Sequence, residues 1–93
     1  MKAEIVQKES ISSLSFPQDE VLHDDQKKKE RYFHLQDAMK YGNMFRQKVK
    51  IYFMDSEHTK AVETTIWYAN EHHAILKGGV VLPVRRVLGV KIL

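Results

Sequence analysis

The chain has no cysteine among its 93 residues and only two prolines. Without cysteine it can form neither disulfide cross-links nor thiolate metal sites, so a hydrophobic core must stabilise the fold. No apolar run approaches the roughly 20 residues that a membrane-spanning helix needs. The first ten residues interleave charges with a few apolar side chains and have no signal-peptide stretch. We therefore expect one domain, located in the cytoplasm, with no membrane partner.

Charge of either sign is modest, with a formal net charge of +3, but it is unevenly placed. Residues 1–45 carry seven basic and eight acidic side chains, a balance of −1. Residues 46–93 carry eight basic and four acidic side chains, a balance of +4. The second half of the chain is therefore the part that favours an anionic partner.

Residues 1–23 show little hydrophobic periodicity and predict a flexible N-terminal tail. A strand-like fragment at 11–16 is stopped by Pro17, and it could add as a peptide to a sheet edge. With few buried contacts expected in this segment, deleting residues 1–22 should cost little stability.

A helix is predicted over about Gln26–Tyr41, in a domain spanning 24–93. Asp24 or Asp25 can cap its first N–H groups, and Gly42-Asn43 is a typical stop because both residues tolerate positive φ. The apolar positions that recur at helical spacing are Tyr32, Leu35, Ala38 and Met39. We expect this helix to lie across one open end of a small barrel.

Five strands are predicted in the second half, within 48–55, 61–70, 73–78, 80–84 and 88–93. Gly78-Gly79 is a strong hairpin signal, and Pro83 restricts its strand to an edge or a bulge. Arg85-Arg86-Val87 fits a single 3₁₀ turn before the last strand. Strict alternation in the long second strand turns Tyr68 inward and both Trp67 and Ala69 outward. The predicted core is Val49, Ile51, Phe53, Ile66, Leu82, Val84, Val87, Val90 and Ile92.

Five short strands with a one-turn helix before the last describe a mainly β protein, a five-stranded SH3-like barrel. With the preceding helix, the order α-β-β-β-β-β resembles the Sm-like family of RNA-binding proteins over about residues 26–93. Leu76-Lys77-Gly78 is similar to the apolar–basic–glycine element of that family. The architecture also resembles the small Rho-binding antiterminator barrels of bacteria. Both resemblances imply a barrel that binds RNA.

The sequence favours a non-catalytic binding module, and two versions remain open. In the first, the barrel surface binds a protein partner or a second copy of the chain, through Trp67 and the edge near Pro83. In the second, aromatic rings stack on the bases of RNA or another single-stranded nucleic acid while cations hold the phosphates. The candidate binding residues are Lys48, Lys50, Tyr52, Trp67, Lys77, Arg85 and Arg86.

No catalytic or metal-binding pattern is present. The five histidines lack the close ligand spacing of zinc sites, and adjacent His72 and His73 point to opposite faces of an extended chain. Ser56 has Asp55 and His58 only as neighbours in a turn, which is not a relay oriented across a pocket. Gly78-Gly79 opens no helix, so it is not a phosphate loop. We therefore predict no enzyme activity, no cofactor and no metal.

Overall fold

The computed structural model of the chain describes residues 2–93. Its longest element is helix α1, Asp25–Phe45. Asp24 begins the helix as predicted, because its carboxylate accepts hydrogen bonds from the N–H groups of Gln26 and Lys27 at 2.8 and 3.4 Å. The predicted end at Tyr41 is wrong, since the helix continues to Phe45. Arg46 ends it in the left-handed conformation (φ 54°), with its N–H donating to the carbonyl of Gly42 at 3.0 Å.

The seven strands form two sheets. The first sheet has the order β1-β3-β2-β7, in which β1 (Glu4–Ile5) is parallel to β3 (Thr59–Thr64). Strands β2 (Val49–Met54) and β7 (Val87–Ile92) complete it with antiparallel pairing. The second sheet has the order β4-β5-β6 and is antiparallel throughout. Its strands are β4 (Ile66–Ala69), β5 (His73–Leu76) and β6 (Val81–Pro83).

The expected five-stranded closed barrel is only partly confirmed. The protein is a small, β-rich α+β fold, and its sheets do not close into a barrel over residues 2–93. The predicted long second strand is two strands, β3 and β4, separated by Thr65 and placed in different sheets. The predicted 3₁₀ turn before the last strand is present at Val84–Arg86.

A β-bulge in β4 changes which of its residues are exposed. The register against β5 shifts between Ile66 and Tyr68, so the strict alternation assumed from the sequence fails. Trp67 is exposed as predicted, but Tyr68 is equally exposed, each at 48 %. Ala69 is instead buried against the core. The predicted inward position of Tyr68 and outward position of Ala69 are therefore wrong.

Helix α1 packs against β4 of the second sheet and β7 of the first sheet, and so bridges the two. Its buried positions, Arg31, Leu35, Ala38 and Gly42, follow the spacing of one helix face. Tyr32, expected on that face, is 40 % exposed. The Gln36 side chain donates to the carbonyl of Ala69 at 2.8 Å, and the N–H of Ala69 contacts the Met39 sulfur at 3.3 Å. The helix thus covers backbone groups of β4 that β5 does not pair.

Gly42 lies where the helix comes closest to the second sheet. A Cβ at this position would be 2.6 Å from the Ile66 carbonyl oxygen and 3.0 Å from the Thr65 Cγ2 atom. The first neighbour is backbone and cannot rotate away. The sequence predicts Gly42 as a helix stop, but it lies inside the helix. There it permits the helix to pack closely against β4.

Gly42→Ala is expected to lower the thermal midpoint, with a cost of about 1–3 kcal/mol for overpacking. This reverses the usual sign, because Gly→Ala inside a helix normally stabilises by about 1 kcal/mol. Gly89→Ala is the matched control, because a Cβ there meets no atom within 4 Å and its φ is not positive. Equal thermal midpoints for the two variants would show that the close approach at Gly42 does not affect stability.

The N-terminal segment packs against the rest of the chain. Its 3₁₀ helix, Lys8–Ser13, places Ile11 in the core at 1 % exposure. Val6, Leu14 and Phe16 pack against the same core, and the Phe16 ring lies 6.0 Å from that of Phe53. The expectation that residues 1–23 have few buried contacts is wrong for the described part, 2–23. Its hydrophobic residues were too sparse in sequence to reveal this packing.

Most of the predicted core is confirmed. Seven of its nine members are buried, and the helix, β3 and the N-terminal segment complete it with residues such as Leu35, Val62 and Ile11. Val90 is half-buried against this core. Ile92 is 45 % exposed, so its assignment to the core is wrong. It lies at the end of β7, the last strand in the order of the first sheet.

The turn between β2 and β3 is organised by a buried carboxylate. Asp55 accepts hydrogen bonds from the N–H groups of Glu57 and His58 at 2.8 and 2.7 Å, and it pairs with the Lys60 ammonium. Burial by itself would raise the pKa of Asp55, but the His58 N–H, the Lys60 ammonium and the Glu57 N–H together lower it to about 2. The carboxylate is therefore ionised at neutral pH and stabilises the turn. The Lys60 ammonium is engaged in the same ion pair.

Candidate functional site

The seven residues predicted as one binding surface lie in four different environments. Lys48 and Lys77 line one groove, Lys50 and Tyr52 lie on β2, and Trp67 is on β4 in the other sheet. Arg85 and Arg86 belong to the 3₁₀ turn before β7. Trp67 is separated from Lys50 and Tyr52 because the chain changes sheets at Thr65.

Arg85 and Arg86 hold the N-terminal segment. Arg85 donates to the carbonyls of Pro17 and Phe16 at 2.9 and 3.3 Å. Arg86 is 5 % exposed, and its guanidinium donates to the carbonyls of Met54, Asp55 and Asp19 at 2.9–3.2 Å. It also reaches the Asp19 carboxylate at 3.3 Å. Arg86 is therefore not placed to hold an external phosphate, and Arg85 uses two of its nitrogens inside the fold.

Arg31 performs the same structural role from the helix. Its Nη1 and Nη2 atoms each lie 2.7 Å from one Glu20 carboxylate oxygen, and Nη1 also donates to the Val87 carbonyl at 3.0 Å. Burial acts to raise the pKa of Glu20, but the hydrogen bonds from Arg31 and the Leu22 N–H, with the positive charge of Arg31, lower it overall. Three arginines thus tie residues 16–20 to the folded unit.

Lys50 and Tyr52 form a small cluster on the outer side of β2. The Lys50 ammonium lies 5.5 Å from the centre of the Tyr52 ring and 3.9 Å from a Glu63 carboxylate oxygen. Both side chains are half-buried. The nearby carboxylate lowers the positive potential available to an anionic ligand at Lys50.

The second sheet presents apolar side chains on its outer side. In register, Tyr68 is paired with Ile75, and Ile75 with Val81, so the three side chains form one row across β4, β5 and β6. Trp67 precedes this row at the bulge. Tyr68, Val81 and Trp67 are 48–50 % exposed, whereas the neighbouring row of Ala69, Ala74 and Leu82 is buried. We name Trp67, Tyr68, Ile75 and Val81 the aromatic face.

A second feature is a polar groove of about 310 Å³ beside β3. Three lysines line it from separate parts of the chain: Lys8 from the N-terminal segment, Lys48 before β2 and Lys77 after β5. A single acid, Glu63, also lines it, which gives a balance of +2. We name it the lysine groove.

Sequence reasoning missed Lys8 in the groove and Tyr68 and Val81 in the aromatic face. Lys8 gave no signal because its segment was interpreted as a tail. Tyr68 was assigned to the interior by alternation, and only the bulge moves it. Val81 was placed correctly in a strand, but its neighbours across the sheet depend on the register.

The described residues contain no group of three or more histidine, aspartate or glutamate side chains arranged to hold a metal ion. The His72 and His73 rings are 6.4 Å apart between centroids. No helix in the described part of the chain combines the length and the apolar composition needed to cross a membrane.

Comparison of the chain with protein-family models, with curated proteins and with solved structures finds no match. The aromatic face and the lysine groove are the two surface features that bear on function.

Proposed function

We propose that this chain is a non-catalytic binding module that self-associates through the aromatic face. The observation that carries the proposal is the exposed row Tyr68–Ile75–Val81 with Trp67 beside it. A contiguous apolar patch with two aromatic side chains is typical of the centre of a protein interface. The bulge that exposes both Trp67 and Tyr68 is the kind of irregularity that re-aims side chains at functional sites. A cytoplasmic location is part of the same proposal.

Electrostatics allow a second copy as the partner only at an uncharged surface such as the aromatic face. Each copy carries a formal charge of +3, so two copies repel each other wherever lysines and arginines meet. The aromatic face contains no charged side chain, so it allows contact without bringing like charges together. Val81 belongs to β6, the edge strand of the second sheet, so the free edge of β6 lies at the side of this face. Pro83 in that strand cannot donate a ladder hydrogen bond, which favours contact through side chains over strand pairing.

Sedimentation or light scattering over a wide concentration range tests this proposal. Wild type is expected to show a concentration-dependent mass above that of the 10.9 kDa monomer. Trp67→Ala should shift the association constant at least about tenfold, as expected for a central aromatic anchor worth more than 1.4 kcal/mol. Phe45→Ala is the control, because Phe45 is 67 % exposed but lies at the end of α1. A wild type that stays monomeric throughout contradicts self-association.

We further propose that the two sheets are the halves of an SH3-like barrel of the Sm-like kind, left open at one side. The strand order supports this: β3 and β4 are nearly continuous but belong to different sheets, and a 3₁₀ turn leads into β7, which returns to β2. Helix α1 lies against β4 and β7, one strand from each sheet, as a helix across an open barrel would.

Binding of RNA or another single-stranded nucleic acid is the second candidate function. The observation that favours it is that Lys48 and Lys77, both candidate residues, line the same groove. It is the weaker candidate because Arg85 and Arg86 are engaged inside the fold and Trp67 is in the other sheet. Stacking and phosphate contacts would then fall on separate surfaces.

A further inference from the structure

The lysine groove has no role in the proposed self-association. Its three ammonium groups come from residues 40 and 29 positions apart in the chain, Lys8, Lys48 and Lys77, so only the fold brings them together. The Gly78-Gly79 turn, with φ of 87° and 84°, places this corner beside the N-terminal segment. A Cβ at Gly78 would lie 3.4 Å from the Lys8 Cε atom. The Lys8 stem therefore lies close to the turn.

Two largely buried threonines lie beside these lysines. Thr64 and Thr65 line it and are only 4 % and 7 % exposed. Neither hydroxyl has a hydrogen-bond partner within residues 2–93. Neither is fully enclosed, however, because Arg31 Nε is the only fully enclosed side-chain polar atom of these residues that lacks a partner. Solvent therefore reaches both hydroxyls. A threonine hydroxyl without a partner inside the fold is free to bond to water or to a ligand.

The two carboxylates near the groove, Glu63 and Glu9, are each close to a lysine ammonium group. Glu63 lies 3.9 Å from the Lys50 ammonium on β2, and Glu9 lies 3.0 Å from the Lys8 ammonium with its side chain 67 % exposed. An exposed ion pair of this kind is worth about 1 kcal/mol or less, so an anion of higher charge can displace Glu9. Lys48 and Lys77 form no ion pair with any of the described residues.

We infer that the lysine groove is a binding site for phosphate groups. The three lysines supply positive charge from separate parts of the chain, and ammonium groups bind phosphate oxygens through charge-assisted hydrogen bonds. A volume of about 310 Å³ is at the small end of ligand sites, and it suits one or two phosphate groups. They could belong to a free nucleotide or to the backbone of a single-stranded nucleic acid.

Titrations with pyrophosphate, ATP and a twelve-nucleotide oligouridine test the inference, each at 50 mM and 200 mM salt. If three lysines contact a single strand, affinity for the oligomer should fall roughly 20-fold between the two salt concentrations. Affinity for ATP or pyrophosphate assigns the site to free phosphate compounds. Affinity for the oligomer alone assigns it to a nucleic-acid backbone. No binding of any of the three at 50 mM salt overturns the inference.

A charge-matched pair of triple variants locates the site. The groove variant carries Lys8→Gln, Lys48→Gln and Lys77→Gln, and it should bind at least about tenfold more weakly, with a shallower salt dependence. The control carries Lys27→Gln, Lys29→Gln and Lys40→Gln on α1, outside the groove, with the same loss of charge. Equal loss in both variants would show a non-specific charge effect and contradict the site.

Two further measurements keep the result independent of net charge and of oligomeric state. Backbone amide shifts on addition of pyrophosphate should be largest at the groove residues and at Gly78. Trp67→Ala should retain phosphate binding, so failure of self-association and failure of this inference give different results.

Discussion

A chain lacking residues 2–22 is expected to show no cooperative thermal transition. The deletion removes Ile11 from the core, together with the packing of Val6, Leu14 and Phe16 against it. Burial of each large apolar side chain is worth about 1.5–3 kcal/mol, and a domain of this size has about 5 kcal/mol or little more in total. This reverses the expectation from the sequence that the deletion costs little.

Loss of polar partners adds to that effect. Without residues 16–20, Arg31 loses the Glu20 carboxylate, Arg85 loses two carbonyls and Arg86 loses Asp19. A buried cation that loses its partner is more costly than the pair was worth, by about 3–5 kcal/mol for a fully buried one. Arg31, at 7 % exposure, is the residue to which this applies, because Arg86 keeps the carbonyls of Met54 and Asp55.

A pair of point variants tests the same segment without changing chain length. Ile11→Ala, at a site 1 % exposed, should destabilise by about 2–5 kcal/mol. Ile5→Ala, at a site 53 % exposed on the same segment, should cost no more than about 0.5 kcal/mol. Denaturant unfolding of both gives the comparison. Similar costs, or a truncated chain that melts cooperatively near the wild-type temperature, would mean that the segment contributes little to the core.

Phe53→Ala is expected to lower the free energy of unfolding by about 3–5 kcal/mol, which leaves the protein largely unfolded. Phe53 is fully buried in the central part of the first sheet, where β2 pairs with both β3 and β7. It also contacts Phe16, so its loss creates a cavity between the sheet and the N-terminal segment. Both the lost transfer energy and the cavity contribute to the cost.

Phe33→Ala is the matched control for Phe53→Ala. Phe33 is 62 % exposed on α1, with Tyr32 as an edge-to-face neighbour at 5.5 Å. Its removal should change stability by about 1 kcal/mol or less, the range of an exposed aromatic pair. Urea unfolding followed by circular dichroism measures both. If Phe53→Ala retains most of the wild-type midpoint, the core is more tolerant than its packing indicates.

The features predicted correctly from the sequence are those set by interactions within a few residues. The helix begins at Asp24 because its carboxylate caps N–H groups two and three positions away. Alternation in β2 buries Val49, Ile51 and Phe53 because the strand has one face toward the core along its whole length. The Gly78-Gly79 turn forms because its two positive φ angles are natural for glycine. None of these depends on which distant residue packs nearby.

The errors lie where a distant contact overrides a local preference. Gly42 lies within the helix instead of ending it, at the point where α1 approaches the Ile66 carbonyl closely. Tyr68 is exposed because its pairing with β5 shifts at a bulge. The candidate binding residues divide for the same reason. Arg85 and Arg86 appear as free surface cations in sequence, but their donors meet carbonyls of the N-terminal segment.

The sequence by itself determined the helix start, the pattern of short strands, the turn glycines and most of the residues that avoid water, because each follows from local geometry and hydrophobic periodicity. Only the tertiary structure decided that the N-terminal segment joins the core, that the chain changes sheets at Thr65, and that Lys8, Lys48 and Lys77 share a groove. These depend on contacts between residues tens of positions apart, whose free energies no local pattern records.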